Sequence, residues 1–184
     1  EGVELGRKLF SDPILSKNRD VSCASCHLQS SSFSDPRALS IGTNGTATTF
    51  HSMPIFNIAW MSEFFWDGRA KSREDQALQP VNNPLEMDLG WIEAVKRLSA
   101  DSDYPRMFKA AFGTSVIDSN LAAQAMVQYE MTLVSSETKF DAWLKGQASF
   151  TPEEEMGRII FNSERGDCFH CHGSILATDN SFHN

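Results

Sequence analysis

Two pentapeptides of the form Cys-x-x-Cys-His constrain this chain more than any other feature. Cys23-Ala24-Ser25-Cys26-His27 stands near the start and Cys168-Phe169-His170-Cys171-His172 near the end. They take up all 4 cysteines, so no thiol is left for a disulfide framework or a free nucleophile. The spacing has a chemical reason. Two intervening residues place the sulfurs to match the two vinyl groups of a haem, and the histidine that follows lies under the iron and supplies an axial nitrogen. Zinc sites and thioredoxin-like redox pairs also use Cys-x-x-Cys. Neither requires a histidine directly after the second cysteine, and no strand–turn–helix pattern surrounds either motif. Two covalently bound haem c groups are therefore expected, one on Cys23, Cys26 and His27, the other on Cys168, Cys171 and His172, with His27 and His172 as iron ligands. Attachment needs reduced thiols and an assembly route that in bacteria lies outside the cytoplasm, so a periplasmic, exported protein is expected.

The segment before each pentapeptide repeats. Glu4-Leu5-Gly6-Arg7-Lys8-Leu9-Phe10 and Glu155-Met156-Gly157-Arg158-Ile159-Ile160-Phe161 share Glu, Gly, Arg and Phe in register and keep their apolar positions. Both have helical spacing, which predicts two copies of one supersecondary unit, a helix leading by a short loop into a haem-attachment turn. A glycine in mid-helix costs about 1 kcal/mol, so close helix packing is the expected reason for it.

The rest of the chain reads as mostly α with long loops. Thr151, Pro152 and Glu153 to Glu155 mark a helix start. Leu121, Ala125, Met126, Tyr129 and Leu133 fall on one face of a helix over 120–134, Trp91, Val95 and Leu98 mark a shorter one, and 105–112 another. The Ser-, Thr-, Gly- and Asn-rich stretch 29–54 reads as loop, and so does Pro80-Val81-Asn82-Asn83-Pro84, where two prolines oppose regular structure. A hydrophobic fraction of 41% with 22% charged residues suits a globular protein. No apolar run approaches a membrane span. The net charge of −8 argues against nucleic acid, and the polar start at Glu1 is that expected of a mature or trimmed product rather than a signal peptide.

Between the two motifs the chain resembles the bacterial dihaem cytochrome c peroxidases, a superfamily that includes the MauG-type maturation enzymes. The resemblance is carried by Phe65-Trp66-Asp67-Gly68-Arg69-Ala70, Gln76-Ala77 and Pro84-Leu85-Glu86-Met87, with Leu5 to Phe10, Asp12 to Ser16 and Phe182-His183-Asn184 on either side. It implies two cytochrome-c-like domains. Residues 1–138 would hold the peroxidatic haem and 139–184 the start of an electron-transfer-haem domain. Only twelve residues follow His172, so that second domain is expected to be truncated, with its distal ligand beyond position 184. The resemblance assigns His27 to the peroxide-reducing iron, His172 to the electron-accepting iron, Glu86 to the distal carboxylate, Gln76 to its neighbour and Trp66 to a place between the haems.

Two departures matter. Many members have Ile-Gly-His-Gly after the first haem site, and that histidine caps the resting iron; here the run is Ile41-Gly42-Thr43-Asn44. His51 is the nearest spare histidine and a candidate metal ligand in its place. It also stands where the family usually has an asparagine that helps bind calcium, so calcium binding is left open.

A carboxylate above an open iron can shuttle a proton between the peroxide oxygens, and Gln76 can donate a hydrogen bond to them. Taken without the resemblance, Glu86 and Gln76 read as solvated surface residues and Trp66 as a core aromatic. Arg69 reads equally as a haem-propionate partner and as a surface ion pair, and His170 as neutral. The leading expectation is an enzyme that reduces hydrogen peroxide to water with electrons from a small donor protein, a cytochrome c or a cupredoxin. A MauG-like, peroxide-dependent oxidation of a partner protein and a non-catalytic dihaem electron carrier are the alternatives. A homodimer is compatible with all three.

Overall fold

The helix before the first pentapeptide forms as its spacing predicts, and its glycine shows where it packs. The structure, a computed structural model, describes residues 1–183; Asn184, the last residue of the Phe182-His183-Asn184 stretch, lies outside the described residues. Helix α1 (Gly2–Ser11) turns Leu5, Gly6, Leu9 and Phe10 inward. They meet α6 (Ser119–Glu130), which Asp118 caps by accepting from the Leu121 amide at 2.8 Å. The inner face of α6 is made of Ala122, Ala123, Ala125, Met126 and Val127, small enough to let the two backbones close up. A Cβ on Gly6 would stand 1.9 Å from the Ala125 carbonyl oxygen. The Phe10 and Tyr129 rings pack beside the crossing at 5.2 Å.

Around this crossing stand α4 (Trp91–Ala100) and α5 (Tyr104–Phe112), which bury Ala94, Leu98, Tyr104 and Phe108. Burial of each large side chain contributes about 1.5–3 kcal/mol. The Tyr104 hydroxyl donates to Asp12 at 2.9 Å, so the one polar tip in this layer is satisfied.

The two prolines predict a loop over 80–84, and the structure corrects the first half of it. Helix α3 (Arg73–Asn82) runs through Pro80. A proline costs roughly 3 kcal/mol in a helix interior, but Pro80 sits in the last turn, and Ala77 and Val81 are buried in the same core as α6. Packing of that face outweighs the local preference. The chain then reverses at Asn83, whose side chain accepts from the Leu85 amide at 3.0 Å. It returns along the helix end, with Met87 N–H donating to the Pro80 carbonyl and Leu89 N–H to Val81.

The described residues contain three isolated β-bridges and no named strand, so the chain is mainly α. The 29–54 stretch is loop apart from one short turn at Gln29–Ser31. No helix among the described residues is long and apolar enough to cross a membrane.

The chain divides into two compact units, Glu1–Leu133 and Val134–Asn184, where the sequence places the division at 138/139. The second unit contains α7 (Lys139–Leu144), α8 (Pro152–Phe161) and α9 (Phe169–His172). Helix α8 starts as expected, with Thr151 and Glu154 forming a reciprocal capping box. Phe140, Trp143 and Phe150 stack on one another, and the Arg158 guanidinium lies 5.1 Å from the Trp143 ring. None of its described residues is buried, and Gly157 has no atom within 4 Å of a built Cβ. Close packing explains the glycine of the first copy but not that of the second.

The two glycines therefore predict opposite outcomes. Gly6→Ala should lower unfolding stability by about 1–3 kcal/mol through overpacking against backbone. Gly157→Ala should raise it by up to about 1 kcal/mol through helix propensity alone. Urea denaturation of the two variants checks both signs; a neutral Gly6→Ala would contradict the crossing.

Candidate functional site

The first pentapeptide folds as a single helical turn, α2 (Cys23–Cys26), whose entry is held by a Ser22–Ser25 capping box. That turn brings Cys23 and Cys26 to one wall of a cavity of about 320 Å³ in the first unit, within the size range of cofactor sites. Neither thiol is in a disulfide. His27 follows directly, and its Nδ1 hydrogen-bonds the Phe33 carbonyl at 2.9 Å. The Phe33 carbonyl can only accept, so Nδ1 carries the proton and Nε2 is left as a lone-pair donor. Burial holds the His27 imidazole below its ordinary pKa, which keeps it in the neutral form that binds metal. The remaining walls include Phe10, Ile55, Ile58, Phe64 and Met126. Two reduced thiols, one oriented imidazole and an apolar lining fit a thioether-linked haem.

The loop that follows is bolted down. Asp35 is 3% exposed; it accepts two bonds from the Arg37 side chain at 2.8 and 2.7 Å and one from the Ser40 hydroxyl at 2.7 Å. The hydrogen bonds from Arg37 hold its carboxyl well below the usual carboxylate range. Thr43 is buried too. Its hydroxyl donates to Asp20 at 2.5 Å, its carbonyl accepts from the Asn18 side chain, and its N–H donates to the Glu86 carbonyl at 2.8 Å. The side chain at position 43 is thus committed to Asp20 and is absent from the cavity wall.

Glu86 lies on the reversed segment after α3. The Asn83 side-chain amide donates to its Oε1 at 2.6 Å, and burial pushes its carboxyl pKa up. Gln76 lines the same cavity from α3. Trp66 comes from the tight Phe64–Ala70 loop, closed by Phe64 N–H on the Ala70 carbonyl at 3.0 Å. Phe65 beside it adopts a left-handed φ of +65°, unusual for a bulky residue, and the Arg69 guanidinium covers its ring at 3.6 Å. The Trp66 indole donates to the His51 carbonyl at 2.9 Å, and the side chain is half exposed.

His51 also reaches the cavity wall, but both ring nitrogens already meet protein oxygens. Nε2 is 2.9 Å from the Ser34 hydroxyl, and Nδ1 is 3.2 Å from the Arg37 and Ala38 carbonyls. Ligation of a metal by either nitrogen would break one of these contacts. Arg69 pairs with Asp67 at 2.9 Å and with Gln79.

Cys23, Cys26, His27, Trp66, Gln76 and Glu86 therefore share one cavity. Cys168, Cys171 and His172 belong to the second unit. There His172 repeats the first site's device, with Nδ1 at 2.7 Å from the Ala177 carbonyl. His170 is exposed and pairs with Asp167 at 2.5 Å, and His183 pairs with Asp179 at 2.9 Å. The residue that sequence reasoning missed is Glu130. It falls next to the expected apolar face of α6, yet it is buried on the cavity wall.

Comparison with known proteins points to one family. The family model described as di-haem cytochrome c peroxidase matches residues 1–149. Methylamine utilization protein MauG of Methylorubrum extorquens is 37% identical over 100% of this chain and 52% of its own length. Cytochrome c peroxidase Ccp of Escherichia coli is 34% identical over 98% of this chain and 38% of its own. The crystal structure of a MauG-like protein associated with microbial copper homeostasis matches with a TM-score of 0.91 at 34% identity, over 99% of this chain and 54% of that one. The chain spans about half the length of most of the curated relatives it matches.

The buried Asp35 predicts an acid-dependent stability. Its folded pKa is depressed, so its contribution is complete above the unfolded value near 3.9 and is lost as pH falls toward the folded one. Asp35→Asn should cost about 1–3 kcal/mol at pH 7, and urea midpoints measured down to about pH 3 should show the deficit shrinking. A deficit equal at both ends of that range would contradict the assignment.

Proposed function

Because the chain belongs to the di-haem cytochrome c peroxidase family, we propose that it takes part in the two-electron reduction of hydrogen peroxide to water, with His27 holding the peroxidatic haem and His172 an electron-accepting one. Each haem would lie in a cytochrome-c-like domain. The observation that carries the proposal is the convergence of Cys23, Cys26 and His27 with Gln76 and Glu86 on one cavity. When bound, a haem at His27 supplies the iron position and the electrons for cleaving the O–O bond.

The chain's own groups supply the rest. His27 binds through Nε2 because Phe33 holds Nδ1, and that hydrogen bond raises the basicity of the ligand. Glu86 would take a proton from one peroxide oxygen and return it to the other, which leaves as water. Its raised pKa brings proton uptake and release closer to neutral pH, where transfer is most effective. Asn83 fixes one carboxyl oxygen and leaves the other for that transfer. The Gln76 amide donates a hydrogen bond to the bound oxygens. Trp66 sits at the cavity wall with its indole pinned to His51, and its aromatic system would relay electrons to a haem held by His27. The donor would be a small redox protein, the location periplasmic. No calcium role is assigned to His51.

A second reading is favoured by Thr43. Its side chain faces Asp20, so position 43 would supply no capping ligand to a haem held by His27. A haem left uncapped there would suit peroxide-dependent oxidation of a partner protein as well as peroxide removal. A non-catalytic carrier would instead need both irons closed. Cyanide binding by the resting ferric protein separates it from the two enzymes.

Glu86→Ala should keep both haems and lower peroxide turnover by about 10²–10⁴-fold, the usual weight of a general acid–base group. The decisive measurement is steady-state turnover at matched haem content, and unchanged turnover would refute the role of Glu86.

A further inference from the structure

Helix α6 ends on a charge that the core does not compensate. Glu130 is 6% exposed; among the described residues its carboxyl has no hydrogen-bond or ion-pair partner, and its oxygens are not sealed in the core but face the open space of the cavity it lines. The other buried carboxylate, Asp35, has Arg37. Burying an ionised carboxylate without a partner costs several kcal/mol.

Every element packed around Glu130 withholds a cation from it. Helix α1 turns Leu5, Leu9 and Phe10 inward and leaves Glu4 and Arg7 exposed. Helix α3 presents Ala77 and Val81, while its Arg73 donates to the carbonyls of Ile58 and Ala59. Helix α2 brings Cys23, whose thiol is pushed up by burial and by the Glu130 charge. The other titratable groups on the cavity wall are His27, Glu86 and Cys26, with His51, Asp67 and Arg69 at the loop side. None of them pairs with Glu130. With burial alone acting, its carboxyl is pushed up to about 8, so it is mainly neutral at pH 7.

The carboxyl nevertheless opens onto the cavity that holds Cys23 and His27. A positive charge gained in that low-dielectric space would offset the cost of ionising it. We propose that Glu130 is a redox-linked proton site of the haem held by His27. As the iron loses one electron to a one-electron acceptor, the carboxyl releases one proton to solvent; as the iron is reduced, it takes one back. The inference rests on the haem reading above and adds a coupling that peroxide cleavage itself does not require. By linkage, ionisation of Glu130 must favour the oxidised iron as much as oxidation favours ionisation.

Spectroelectrochemical titration of the haem-loaded protein from pH 6 to pH 9 tests this. One of the haem potentials should fall with rising pH by up to about 59 mV per unit, the one-electron equivalent of a tenfold change. Glu130→Gln should flatten that dependence. A flat profile in the parent protein, or the same slope in the variant, would overturn the proposal. Should the variant fail to accumulate with haem, the reduced-minus-oxidised infrared spectrum of the parent protein decides. A protonated-carboxyl band gained on reduction, and retained in Glu86→Gln, supports the proposal; its absence overturns it. A polypeptide shown by mass to lack haem refutes the haem reading instead, before any titration begins.

Discussion

The hydrogen bond between His27 and the Phe33 carbonyl governs the first site, because it leaves the imidazole one nitrogen with which to bind iron. The turn between them is closed by Phe33 N–H on the Leu28 carbonyl and by Leu28 N–H on the Ser34 carbonyl. The thiols of Cys23 and Cys26 line the same cavity as that imidazole. Behind the turn, α1 and α6 cross closely enough that Gly6 meets the Ala125 backbone. The same crossing brings Met126 and Glu130 to the cavity. The second unit repeats the histidine device through Ala177 without any buried side chain among its described residues.

Two carboxyls of one cavity illustrate how environment separates roles. Burial raises both pKa values. Glu86 has an amide donor at 2.6 Å and sits on a loop tied to Thr43 through its carbonyl, so it is oriented and still able to exchange a proton. Glu130 has no such donor and lies at the end of α6, on the cavity wall with Met126 and Cys23. Its protonation is set by the charge of whatever fills the cavity. An oriented acid can move a proton along a reaction; an unpartnered one can respond to a change of charge.

Much of this was legible from residues alone, and what escaped has a common cause. The capping box at Thr151, the α6 helix and the two attachment motifs depend on neighbours within a few positions, and periodicity or spacing records them directly. The fate of Pro80 depends on burial of Ala77 and Val81 beside α6, some forty residues downstream. Local rules assign that segment to a loop because they do not include the distant partner. Asp35 reads as an ordinary loop acid until Arg37 and Ser40 are seen to enclose it, and Glu130 as the polar end of a helix until its surroundings are known. The shared register of Gly6 and Gly157 suggests one cause for both, yet close contact exists only at Gly6. Glu86 and Gln76 were singled out by resemblance, and nothing in their local sequence marks a reactive site.

The central claim is that this chain is built to hold a haem on each pentapeptide, and that the cavity residues take their chemistry from the first. Intact-mass spectrometry of the protein, with peptide mapping of the segments around Cys23–His27 and Cys168–His172, addresses it most directly. The account predicts one covalently added haem on each segment, both thiols of each pair consumed as thioethers. Unmodified thiols or a bound zinc ion at either segment would contradict it.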